Sequence, residues 1–434
     1  LHAIAAGLAV DFAHVAGART EEFATVSYIL AVRRTCLICS LIACGQPALA
    51  GGLVIGDGSP RSIGRAGTGT VGDDGGGALL VNPAAMARRD GYRAQIGISF
   101  IDDEIAWQST TAGAPVARDQ APSSMAPLAA AIGSVGSWVI GVGVMTSAVS
   151  ERSLRRPRDV PPEDFGVAFD YRYAGIAGSM RRDTITIGAA RRIGDSFAVG
   201  LALGGSRVSL TELRRMWAGF SGRDMIGAPQ QDVEIAFDGV DRFSTSAVAG
   251  VLVAPADSKI ELGASLAWTQ TTRISADVTA VGTRPLGPSI STDGASATID
   301  IRQPLVARGG GRYLGKRFVA ELGGELAFAP EGAGQAAWTV HGMRVVDRTG
   351  VEAELVSVPS RVSLRTHGAI RGAVDVELIG GFLWATAGYA YSVGSVEASR
   401  QSPIFGDLGG HTVGLGLEGS AGGFTFTLGW SRTW

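Results

Sequence analysis

The sequence predicts an all-β chain, a transmembrane antiparallel β-barrel, and three observations carry that prediction. Apolar residues recur with period two in many separate segments. Mean hydropathy is positive, at +0.21, although no apolar run reaches the length of a membrane helix. The chain also ends in an alternating strand whose last residue is the aromatic Trp434. A spanning helix needs roughly 20 consecutive apolar residues, whereas a barrel spreads the same hydropathy through many short strands.

The 434 residues include 63 glycines, are 46% hydrophobic and carry a formal charge of -2, so no excess of positive charge marks nucleic acid as a partner. Arginine far outnumbers lysine, with Lys259 and Lys316 the only lysines, which reads as genomic base composition.

Arg33-Arg34, the apolar stretch Thr35 to Ala43 and Ala48-Leu49-Ala50 form a signal peptide over residues 33–50, with cleavage expected after Ala50. Residues 1–32 begin at Leu1, hold no Met and place Asp11, Glu21 and Glu22 ahead of the signal. They read as an upstream or misassigned start and are given no function. Cys36, Cys39 and Cys44 all fall inside the signal, so residues 51–434 need neither a disulfide nor a thiolate metal site. Leu41-Ile42-Ala43-Cys44 also fits the box before a lipid-modified cysteine, in competition with the Ala48-Leu49-Ala50 site.

Strands follow from Tyr92 onward. Tyr92, Ala94, Ile96, Ile98 and Phe100 share one face, with Arg93, Gln95, Gly97 and Ser99 on the other. Phe197, Val199, Leu201 and Leu203 alternate with Ala198, Gly200, Ala202 and Gly204. Ile260, Leu262, Ala264, Leu266 and Trp268 alternate with Glu261, Gly263, Ser265 and Thr269. From Arg361, one face carries Val362, Leu364, Ile370, Val374 and Val376, while the other carries Arg361, Arg365, His367, Arg371, Asp375 and Glu377. A soluble sandwich would turn that charged face to water and a barrel would turn it to the lumen; periodicity alone does not separate them. The signal peptide, the tight turns and the terminal strand favour the membrane. That terminal strand sets Phe424, Phe426, Leu428, Trp430 and Trp434 on one face, the pattern that bacterial outer-membrane barrels present to their insertion machinery.

Short turns at 193–196, 255–258 and 419–423 alternate with long polar segments near 102–125, 148–181, 212–242, 276–296, 329–360 and 398–408, as periplasmic turns alternate with extracellular loops. About 13 strands can be counted, an odd number where bacterial barrels use an even one.

The run from Gly64 through Asp73-Asp74, followed by Asn82-Pro83-Ala84, resembles the start of the outer-membrane long-chain fatty-acid transporter family of the FadL type. Ala189 to Gly200 and Ser402 to Leu415 resemble hairpins of the same family. The resemblance implies a hatch over residues 51–90 that plugs a barrel over 91–434, with about 14 strands and both barrel ends in the periplasm. It also implies passage of long-chain fatty acids or other hydrophobic compounds across the bacterial outer membrane, with outer-membrane lipid and the insertion machinery as partners.

On this reading Asp73, Asp74, Asn82, Pro83 and Ala84 form the hatch motif, with Asn82 bonding exposed backbone and Pro83 fixing its geometry. The family's sideways exit uses a kink in the third strand, here Trp138 to Thr146 counted from Tyr92, with Gly141 and Gly143 as the kink positions. Inward Arg93, Arg365 and Arg371 are the candidate partners for a ligand carboxylate, unless they pair with lumenal acids such as Glu321 and Glu325. The missing strand lies in 148–181 or 329–360, or is absent from the end.

Other motifs carry little chemistry. Gly67-Thr68-Gly69-Thr70-Val71-Gly72 fits the dinucleotide fingerprint, with Asp90 downstream, yet no hydrophobic strand precedes it and Gly75-Gly76-Gly77 interrupts any following helix. Asp73-Asp74 lacks the further oxygen ligands a hard cation needs, and His341, His367 and His411 have no metal-ligand spacing. No nucleophile motif appears, so the reading is a non-enzyme without metal or cofactor. A general porin with an open lumen and a non-transporting structural barrel are the alternatives.

Overall fold

The computed structural model describes the backbone of residues 2–13 and residues 59–108, 116–154, 171–219, 228–282, 289–346 and 350–434. The predicted signal and its three cysteines lie outside these segments.

Fourteen strands pair in a closed ring. In chain order they are β1 His2–Ala13, β2 Tyr92–Glu104, β3 Ser124–Val135, β4 Trp138–Ser153, β5 Ala177–Ile193, β6 Phe197–Trp217 and β7 Asp232–Val253. They continue as β8 Ile260–Thr269, β9 Leu305–Leu314, β10 Phe318–Phe328, β11 His367–Ile379, β12 Leu383–Val393, β13 Gly409–Ala421 and β14 Phe424–Thr433. Each pairs antiparallel with its neighbours, and β1 closes the ring between β2 and β14, from His2↔Glu104 to Ala13↔Arg93 and from Ala3↔Thr433 to Phe12↔Phe424.

The faces of these strands decide between sandwich and barrel. Ile96 is 61% exposed, Ile187 59%, Leu203 54%, Leu322 64% and Ile370 65%, while their polar or small neighbours point into the enclosed side. An apolar outer face on strand after strand is the inverse of a soluble core, and it forms the belt that meets lipid. No helix among the described residues is long and apolar enough to cross a membrane.

Three expectations change. The fourteenth strand is β1, ahead of the predicted signal, and not a hidden strand in 148–181 or 329–360; part of the segment given no function therefore completes the ring. A chain cleaved after Ala50 and parted from its first 50 residues keeps the other strands and exposes the facing edges of β2 and β14. Deleting residues 2–13 is accordingly expected to lower the temperature at which the folded band collapses in detergent gels, because unpaired strand edges in lipid cost several kcal/mol for each orphan backbone group; an unchanged temperature would count against β1. The end of β14 also lies on the long-loop side, opposite Ala3, so it does not return to the periplasm.

Second, the strand expected from Arg361 starts only at His367, and Val362 is buried in a cluster at the barrel mouth. Third, several long loops are partly strand, since β6 and β7 run to Trp217 and from Asp232. Above the membrane belt, Thr272–Gly282, Ser296–Ile301, Ala337–His341 and Ser357–Pro359 continue the sheet outward. They enclose an apolar mouth cluster that includes Leu210, Phe237, Ile274 and Trp338, with the Phe237 and Trp338 rings stacked at 4.6 Å. Ile404 and Phe405, from the loop between β12 and β13, are buried in the same cluster.

Candidate functional site

Residues 59–91 fill the lower lumen as a hatch. Ser59 caps the short helix α1 (Pro60–Gly64), its Oγ accepting from Ser62 N at 3.1 Å. After a glycine-rich turn come α2 (Ala78–Val81) and a 3-10 turn over Pro83–Arg88 that starts at Asn82. Asn82 is fully buried: its side chain donates to Thr70 O at 2.8 Å and to Val251 O at 3.2 Å, and accepts from Ala84 N at 3.2 Å. One amide thus ties two parts of the hatch to each other and to β7. Pro83 supplies a fixed φ and no donor at the first position of the turn.

At several points the wall opposite is bare of side chains. A Cβ on Gly250 would lie 2.0 Å from Asn82 Oδ1, one on Gly200 2.4 Å from Ala84 N, one on Gly388 2.3 Å from the Arg65 carbonyl carbon, and one on Gly429 2.0 Å from Pro60 O. These inward glycines let the hatch backbone lie directly against the strands. Gly141 and Gly143 belong to the same seat: they face Leu79 and Met86 of the hatch and pair regularly with β3 and β5, so they are not where β4 bends.

Charge fastens the hatch as well. Arg65, 1% exposed, reaches Glu321 Oε2 at 2.8 Å and Asp375 Oδ1 at 3.5 Å, and Val71 N donates to Glu321 Oε1 at 2.9 Å. Glu261 receives Arg88 at 2.8 Å and Arg312 at 3.5 Å. Asp73 accepts from Gly75 N, and Asp74 pairs with Arg89 at 2.7 Å and Arg61 at 3.6 Å. Burial pushes the Asp74 carboxyl up, but Arg89 and Arg61 outweigh it and hold the group down at about 2. Between hatch and wall, a gap of about 20 Å³ beside Thr68, Arg308 and Glu325 has room for about one water.

The arginines expected to meet a ligand are engaged. Arg93 donates to the hatch carbonyls of Asp74, Met86 and Arg89, Arg365 donates to Gly394 O at 2.8 Å, and Arg371 pairs with Glu325 at 3.3 Å. The sequence reading missed Arg182. It sits opposite Val208 and Ala148, on the face of β5 shared by inward Thr184 and Thr186, and donates to Thr272 Oγ1 at 3.1 Å. Among the described residues it forms no ion pair, and it stands directly below the apolar mouth cluster. The signal that could have found it is the alternation downstream, where Ile185 and Ile187 face outward and so set Arg182 on the inward face with Thr184 and Thr186.

The wall has a seam. The β3–β4 ladder stops at Leu128↔Met145, although β3 continues to Ser124 against β2 and β4 continues to Ser153 against β5. Pro127, in the unpaired part, has no N–H to offer. An irregularity in β4 lies between Thr146 and Ala148, beside the seam and beyond Gly143. Ile101, Ala126 and Val149 pack together across the seam, and above them Asp119↔Leu154 forms an isolated bridge.

The fold of the chain has counterparts in known proteins. Residues 41–313 match the family model described as outer membrane protein transport protein (OMPP1/FadL/TodX). The chain belongs to this family. Its members are bacterial outer-membrane transporters of hydrophobic compounds, not enzymes, which sets the outer membrane as the location of this barrel. In fold it is similar to a Pseudomonas aeruginosa FadL homologue, at 14% identity over 88% of this chain and 99% of that one, with a TM-score of 0.62. It is also similar to the P. putida toluene transporter TodX, at 13% identity over 88% and 96% with a TM-score of 0.59, and to the Ralstonia pickettii toluene transporter TbuX, at 13% over 86% and 96% with a TM-score of 0.57. No curated protein matches the chain by sequence.

Proposed function

We propose that this FadL-family barrel takes up long-chain fatty acids, entering through the apolar mouth and leaving sideways at the β3–β4 seam. The observation that carries the fatty-acid reading is Arg182, an inward guanidinium that forms no ion pair among the described residues, with the Asp241 carboxylate acting on it only from beyond ion-pair distance, set just below a buried apolar cluster. An acyl chain suits the cluster and its carboxylate suits the cation. The solved relatives named for toluene support a second reading, a neutral aromatic solute, which the stacked Phe237 and Trp338 would also accept.

Uptake into proteoliposomes separates the readings. Arg182→Gln is expected to lower fatty-acid uptake by about tenfold, the weight of one hydrogen-bonded charge, and to leave toluene uptake unchanged. Equal loss of both would remove Arg182 from the headgroup role. Entry of a small sugar through the native protein would favour the porin, against which the tight hatch seat argues.

A further inference from the structure

The seam is closed on its outer side by one side chain. Lipid-facing Ile185 and Ile187 set the outward face of β5, and Arg181 and Asp183 lie on that face. The Arg181 guanidinium donates from Nε to both Asp183 oxygens at 3.0 and 2.9 Å, from Nη2 to Thr146 Oγ1 at 2.9 Å, and from Nη1 to Met125 O at 2.9 Å. Thr146 Oγ1 in turn donates to Asp183 Oδ1 at 2.7 Å.

Arg181 therefore starts on β5, crosses β4 beside its irregularity and ends on the unpaired part of β3. Met125 O belongs to the stretch that has lost its β4 partner, so the arginine stands in for the missing ladder on the outer face, while on the inner side Ile101, Ala126 and Val149 pack across the seam and the Arg152–Asp103 ion pair at 2.7 Å ties β4 to β2. A backbone ladder cannot open and close cheaply, but a single side chain can swing away. Its planar fork also suits it to three acceptors at once.

We propose that Arg181 is a latch on the side opening, held in its closed position by Asp183 and Thr146, and that solute leaves for the bilayer when this arginine releases Met125. The proposal rests on the sideways exit given above and deepens it. Arg181 is a positioning residue, since it acts on the width of the opening and not on the solute.

The test follows transfer of a fluorescent long-chain fatty acid into proteoliposomes whose bilayer carries a quencher, using the full chain with Cys36, Cys39 and Cys44 replaced by alanine. Arg181→Gln is expected to speed transfer by roughly tenfold, the weight of one charge-assisted hydrogen bond, with Arg181→Lys between it and the native protein. A cleavable bis-thiol link between Ala126→Cys and Val149→Cys is expected to stop transfer, and its cleavage to restore it. A merely structural role would shift the heat resistance of the barrel without producing this opposed pair of rate changes. Unchanged or slower transfer in Arg181→Gln, or full transfer through the linked protein, overturns the latch while native transfer stands. If the native protein transfers no more than empty liposomes, the transport reading falls and the latch falls with it.

Discussion

A valine in place of Gly250 is expected to lift the hatch from its seat and turn a closed barrel into a conducting one. The new Cβ alone would stand 2.0 Å from Asn82 Oδ1, far inside van der Waals contact. Asn82 has nowhere to retreat: its Nδ2 holds Thr70 O and Val251 O, its Oδ1 holds Ala84 N, and Gly200 already lies against the Pro83-Ala84 backbone on the next strand. Overpacking of this kind costs about 1–3 kcal/mol, and displacing the asparagine adds the loss of a turn cap worth about 0.5–2 kcal/mol. The barrel ladder does not depend on the hatch, so the strain should leave through the hatch. Single-channel current in planar bilayers checks this, with Gly309→Val as the comparison because a Cβ there meets nothing within 4 Å. Frequent ionic openings in the Gly250 variant alone are expected; equally silent channels would mean that the hatch can reseat around a side chain.

The barrel was legible because a membrane strand must carry lipid on one face and the lumen on the other, and Tyr92 to Phe100 or Phe424 to Trp430 states that requirement residue by residue. The rule failed where the same alternation serves another purpose. Val362 and Leu364 keep the parity of Ile370, yet Val362 is buried at the mouth in the cluster that holds Trp338, a packing no local pattern reveals. Gly141 and Gly143 illustrate a second ambiguity, since glycine marks both kinks and close approaches, and only the hatch side chains opposite decide between them. The irregularity at Thr146-Ser147-Ala148 has no compositional mark at all. β1 escaped because His2–Ala13 is rich in alanine, which contrasts little with either face, and because the signal behind it drew the reading away. The hatch motif was readable as a motif, but its seat was not: Gly200, Gly250, Gly388 and Gly429 are scattered through four strands and meet the hatch only when the ring closes.

Arg65→Met is expected to loosen the same hatch by a different route, through charge instead of volume. The native guanidinium is buried between Glu321 and Asp375, and Glu321 is itself buried. Removing one member of a buried pair costs about 3–5 kcal/mol, because Glu321 loses its 2.8 Å partner, keeps only the less direct charge of Arg312 and cannot reach water. That penalty exceeds the contribution of any single hydrogen bond in the hatch, about 0.5–1.5 kcal/mol. Hydrogen exchange at the amides of Ala66 to Val71 should therefore accelerate by roughly two to four orders of magnitude at about 3–5 kcal/mol, while the amides of β10 and β11 stay protected by their ladders. Pairing Arg65→Met with Glu321→Met removes the stranded charge together with its partner, and exchange should return most of the way to the native rate even though the ion pair is gone. If the double variant exchanges as fast as the single one, the hatch depends on the specific Glu321 bond to Val71 N, and the glycine seat holds less of its stability than the geometry indicates.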